Sequence, residues 1–193
     1  MGLWKDSKES WKSVFEIWGS YWRLYGGLRA LLSSPYFHVS CLVTLMAFGF
    51  WSKPGWWELA ITIAPTFLGF SLAGLAVFFS MNDEKFKRLI VYKDAEDPSS
   101  PFLDIVVAFI HFVVWQAFAF LVAMVTKSLF FRWDAAPEWF LSLLPVGNLV
   151  VWGVGFLILT YATLLLLAAT FAIFRAARWY EQHVTNMVNG GGD

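Results

Sequence analysis

Four stretches of the chain are long and apolar enough to cross a bilayer, and no other feature restricts its fold as tightly. A spanning helix needs about 20 mainly apolar residues, at about 1.5 Å of rise each, to cover a hydrocarbon core of about 30 Å. The first stretch runs from about Tyr36 to Trp51 and extends upstream through Leu31 and Leu32. The second runs from about Trp57 to Met81, the third from about Leu103 to Phe130 and the fourth from about Val146 to Phe174. Breakers mark the ends: Pro54-Gly55, Asn82-Asp83, the Pro98 to Pro101 loop, and Pro137 with Pro145. Composition agrees, with 59% hydrophobic and 15% charged residues against about 45–50% and about 25% in soluble domains. The excess has to face lipid. What remains of 193 residues leaves no room for a catalytic domain of about 100–150 residues.

Basic residues near span ends stay on the cytoplasmic side. An even number of spans puts both termini on one side, together with the loop between the second and third spans. That side holds Lys5, Lys8, Lys12, Arg23, Arg29, Lys85, Lys87, Arg88, Lys93, Arg175 and Arg178, eleven of the 14 Lys and Arg; Lys53, Lys127 and Arg132 lie opposite. The expected fold is therefore all-α: a polytopic protein with four transmembrane helices and an N-terminal amphipathic interfacial helix, both termini facing the cytoplasm. Its parts are a surface helix at 1–33, a four-helix bundle at 34–174 with a cytoplasmic loop at 82–102, and a C-terminal helix and tail at 175–193. The first apolar run lacks a small-residue cleavage site and reads as a retained anchor. Zero formal net charge supplies no basic surplus for a nucleic-acid partner.

Before the first span, Trp4, Trp11, Trp18 and Tyr25 recur every seven residues, with Val14, Tyr21 and Leu28 beside them and Lys5, Lys12, Asp6 and Ser13 opposite. Such a helix either lies at the membrane interface, where indole and phenol rings favour the headgroup level, or forms a coiled-coil seam with a partner, for which indoles are bulky. Gly26-Gly27 places a bend after it.

Within the second span, Thr62, Thr66, Gly69, Ala73, Ala76 and Ser80 follow steps of three and four and share one face. Helices in lipid associate through close backbone approach, which small residues permit. That face either packs inside one four-helix unit, joins subunits, or lines a water path with its hydroxyls. Pro65 predicts a kink, with Thr62 or Thr66 available to the freed backbone groups. In the third span, His111 and Gln116 are intramembrane polar residues that need partners. His111 bonds a carbonyl or hydroxyl of a neighbouring helix, or acts as a proton-sensitive switch; Gln116, on a face with Ala119 and Ala123, acts as interhelical glue. In the fourth span, Gly155, Ala162 and Ala169 make another close-packing stripe.

Reaction machinery is missing from the sequence: no phosphate loop, nucleophile elbow or Cys/His metal spacing occurs. No catalytic residue, cofactor or metal is therefore expected. The reading is a non-enzymatic homo-oligomer in a bacterial inner membrane, contacting membrane lipids and sensing or scaffolding there. A cytoplasmic effector protein would dock on the loop carrying Lys85, Lys87 and Arg88. An oligomeric pore is the first alternative and a membrane-embedded lipid-modifying enzyme the second.

In size, span count and cytoplasmic termini the chain resembles the small four-span membrane subunits of bacterial anti-phage defence systems, such as the membrane component of the Kiwa system. The resemblance carries no functional residue. It implies a cytoplasmic effector partner and a role in detecting infection at the envelope.

Overall fold

The computed structural model describes residues 3–80, 90–91, 100–131 and 137–190, with side chains given for 6–80 and 137–185 at the two ends. The described residues fold into helices α1 (Leu3–Tyr25), α2 (Gly27–Ser33), α3 (Pro35–Met46), α4 (Phe48–Trp51), α5 (Trp56–Ser80), α6 (Pro101–Leu129) and α7 (Glu138–Gly190). Three of them, α5, α6 and α7, are long and apolar enough to cross a membrane. The first expected span is instead a broken pair: α3 has 12 residues, about 18 Å of rise, and stops at Ala47 before the single turn of α4. Gly55, at φ 112°, turns the chain from there into α5, a left-handed conformation that costs glycine nothing.

Local chemistry explains the ends. Ser100 caps α6 by accepting a hydrogen bond from the Leu103 amide (3.3 Å), with Pro101 in the first turn, where its missing donor is harmless, and Asp104 favoured by the helix dipole. Pro145, expected as a boundary, sits inside α7. It is exposed, so no neighbour is displaced by its ring. Pro65 lies inside α5, and Thr62 donates to the Glu58 carbonyl (2.8 Å) rather than accommodating the Ile61 carbonyl that the proline frees.

The long helices alternate in direction. Glu58 pairs with Lys127 (2.9 Å) at one end of α5 and α6, and the Phe78 and Phe102 rings meet at the other (5.5 Å). Helix α7 returns along both, and α3–α4 runs against it: Thr44 bonds Thr160 (3.0 Å), and the Trp51 ring covers Gly153. Two clusters form the core. One gathers Phe109, Phe112, Tyr161, Leu165 and Ala169; the other stacks Trp51, Trp56, Trp57 and Trp152 on Ala60, Ala119 and Ala123. The stripe Gly155, Ala162 and Ala169 is buried as its spacing predicts. At Gly155 the approach is closest, since a Cβ there would stand 2.5 Å from the Trp56 ring.

Helix α5 presents two stripes of small residues. Ala60, Ala64, Ser71 and Gly74 are buried against the bundle. Thr62, Thr66, Gly69, Ala73, Ala76 and Ser80, about half a turn away at 3.6 residues per turn, are all exposed. Packing within one unit therefore uses the first stripe. On the second, no described residue lies within 4 Å of a Cβ built on Gly69.

Candidate functional site

The densest polar arrangement in the bundle surrounds His111, which α6 places on one face with Asp104, Ala108 and Trp115. Asp104, at the helix start, is exposed, while His111, about 10 Å further along the axis, has no exposed surface. Both ring nitrogens are occupied. Nδ1 lies 2.7 Å from the Tyr21 hydroxyl of α1, and Nε2 lies 2.9 Å from the Tyr161 hydroxyl of α7. A neutral imidazole has one donor and one acceptor nitrogen, so one tyrosine accepts from the ring and the other donates to it. Tyr25, one turn after Tyr21, lays its ring flat on the imidazole, with centroids 3.6 Å apart and planes within 7°. Its hydroxyl stands 3.5 Å from that of Tyr161. Trp115 packs edge-on against Tyr161 at 5.2 Å.

Four side chains from three helices thus close on one another. Burial, with the adjacent Tyr25 hydroxyl, holds the Tyr21 hydroxyl above the ordinary tyrosine range. Burial does the same for Tyr25 against an opposing hydrogen bond from Tyr161. Both phenols therefore keep their protons at neutral pH. The cluster ties α1 to the long helices. Just beyond it Gly26 and Gly27 adopt φ 97° and 64°, conformations in which a side chain would be strained, and separate α1 from α2.

A second polar strip links α3 to α7. Ser40 bonds the Phe37 carbonyl (2.7 Å), Thr44 meets Thr160, and the Trp51 indole donates to the Thr44 carbonyl (2.7 Å). Gln116 differs. It is fully buried, and neither its amide nitrogen nor its oxygen has a hydrogen-bond partner among the described residues; the Ser71 hydroxyl shares that condition. Ala119 and Ala123, one and two turns on, belong to the core cluster that holds Trp51, Trp56 and Trp152, and among the described residues none bonds the Gln116 amide.

The other expected residues are dispersed. Trp11 and Trp18 on α1 are exposed, whereas Tyr25 is half-buried against His111. The side chain of Trp4, and Lys85, Lys87 and Arg88, lie outside the described residues. Among the described residues no three His, Cys, Asp or Glu side chains group as a metal site. The sequence places Tyr21 only on the aromatic stripe of the first helix and gives Tyr161 no role. The (i, i+4) spacing of Tyr21 and Tyr25 carries the signal for the first, but no local pattern pairs either with His111, 90 and 50 residues away. No protein-family model, no curated protein and no solved structure matches this chain.

Proposed function

We propose that the chain is a non-enzymatic membrane protein that works as a homo-oligomer, sensing or scaffolding at a bacterial inner membrane and docking a cytoplasmic partner. In this reading α3 and α4, lying along α7, supply a fourth crossing, and the bias of basic residues keeps both termini and the 82–102 loop in the cytoplasm. Helix α1 is the peripheral arm. Its Trp11, Phe15 and Trp18 side of exposed apolar groups faces lipid or partner, and the His111 cluster anchors its end. The layout shared with four-span defence subunits is what suggests infection as the signal.

One observation carries the oligomer: the stripe from Thr62 to Ser80 is exposed while the opposite stripe of the same helix is packed. Without a hydrophobic drive between helices in lipid, such a surface is suited to close approach by another helix. The Thr62 and Ser80 hydroxyls are turned back on their own helix, at 2.8 Å from the Glu58 carbonyl and 2.7 Å from that of Val77. This favours packing over a water-lined path. The test replaces Cys41 with Ser and introduces cysteine at Gly69 or Ala73 in vesicles. Disulfide-linked dimers are expected at these sites but not at Leu72, which is also exposed but on another side, and Gly69→Leu should abolish assembly while leaving the fold intact. A single-chain mass of 22.0 kDa in both mild detergent and vesicles would refute the reading.

A further inference from the structure

Between Asp104 and Lys127 helix α6 carries no Asp, Glu, Lys or Arg. That stretch rises about 35 Å, enough for a hydrocarbon core of about 30 Å, and charges from other helices mark both of its ends. At one, Lys127 pairs with Glu58 of α5 (2.9 Å). At the other, Ile105 and Ala176 line one small pocket, which brings Arg175 of α7 to the level of Asp104. A bilayer crossed by α6 has its apolar core between these two levels.

Helix α1 meets α6 inside that stretch. The Tyr21 hydroxyl bonds His111 (2.7 Å), about 10 Å along the axis from Asp104. Trp18 and Trp22 line a cleft with Trp115 and Phe118, and Phe118 is about 21 Å from Asp104. Glu16, Ser20 and Arg23 are exposed and, at 3.6 residues per turn, lie about half a turn round α1 from Trp18 and Trp22, on the side turned away from the bundle. Glu16 pairs with Lys12 of the same helix (3.8 Å), the two side chains being 67% and 77% exposed. The short α2 keeps a further cation near this level: Arg29, also exposed, stands between Tyr25, stacked on His111, and Phe37, whose ring meets that of Tyr161 (5.9 Å).

Charge selects the occupant. Ionised side chains at such depth face a bundle interior or a water-filled cavity, because lipid tails cannot solvate them, and these ones face away from the interior. We propose that the polar side of α1 lines a water-filled recess that opens at the Asp104 end of the bundle and reaches the depth of His111. That end is the nearer one, since Lys127 lies about 24 Å from His111 in the other direction. The inference rests on α6 crossing the bilayer and is independent of the oligomer.

Leu72 of α5 supplies a reference at the same depth. Gly74 faces the Phe109 ring, 3.0 Å from a Cβ built on the glycine; in this antiparallel pair the residue two before Gly74 stands level with the residue two after Phe109, His111. Leu72 is 52% exposed. The full chain with Cys41→Ser, in lipid nanodiscs that leave both membrane faces open, receives a single cysteine at Ser20, Glu16, Leu72 or Lys53, the last an exposed residue in the turn before α5. Each variant is treated with the membrane-impermeant cation methanethiosulfonate ethyltrimethylammonium, and labelling is followed by mass spectrometry. Ser20→Cys and Glu16→Cys should react within about tenfold of Lys53→Cys, and Leu72→Cys at least about a hundredfold slower, because hydrocarbon suppresses the reactive thiolate. Reaction as slow as at Leu72→Cys in either folded α1 variant means that lipid or protein covers the polar side, and overturns the recess. Fast reaction at Leu72→Cys overturns it differently, by putting the level of His111 outside the bilayer. Two α1 positions are used so that a misfolded variant at one leaves the other decisive.

Discussion

Gly155→Ala should destabilise the protein far more than Gly69→Ala, although both glycines sit in apolar helices long enough to span a membrane. At Gly155 the new methyl carbon would lie 2.5 and 2.6 Å from two atoms of the Trp56 ring and 3.3 Å from Val122. Trp56 cannot step aside, being 1% exposed and boxed in by Trp57 and Phe156 at centroid distances of 6.3 and 6.2 Å. Forcing a methyl group into a filled core costs about 1–3 kcal/mol. The helix propensity of alanine returns at most about 1 kcal/mol, so the net loss should reach about 2 kcal/mol. At Gly69 nothing stands within 4 Å of the same methyl, and only the propensity gain remains. The assay is thermal unfolding of the detergent-solubilised chain followed by size-exclusion chromatography. At about 2–4 °C per kcal/mol for a chain of this size, Gly155→Ala should lower Tm by as much as about 8 °C, with Gly69→Ala unchanged or slightly raised. Equal shifts at both sites would mean that Trp56 does not cover α7 as described, and the two-stripe account of α5 would fall with it.

Tyr21→Phe and His111→Phe, combined in a double-mutant cycle, should show a coupling of about 0.5–1.5 kcal/mol, the net worth of one neutral hydrogen bond; additive losses would place Tyr21 elsewhere. Gln116→Leu should be neutral or stabilising by about 1–3 kcal/mol, because it removes a buried amide without partners among the described residues, and a clear loss of Tm would reveal a partner for that amide. Ser100→Ala should cost about 0.5–2 kcal/mol through the lost α6 cap, read as faster amide exchange at the start of the helix. Lys127→Ala should change stability by less than about 1 kcal/mol, since both members of the pair with Glu58 are about half exposed. A larger loss would show that the pair is shielded from solvent.

The all-helical character, the long apolar helices, the bend at Gly26-Gly27 and the buried stripe of Gly155, Ala162 and Ala169 were all legible in the sequence. Each depends on length, hydropathy or 3.6-residue periodicity, properties that a segment carries whatever surrounds it. Which small face of α5 meets its neighbours was not. Two stripes of that helix, half a turn apart, satisfy the same spacing rule, and the choice was made by partners distant in sequence: Phe109 against Gly74, and the tryptophan cluster against Ala60. The helix break at Ala47 and the continuity of α7 through Pro145 likewise escaped local rules. A polar residue in an apolar helix announces that it needs a partner but not who supplies it. Only the packing of α1, α6 and α7 brings Tyr21, Tyr25 and Tyr161 around His111, because that contact joins residues whose proximity exists solely once the chain has folded.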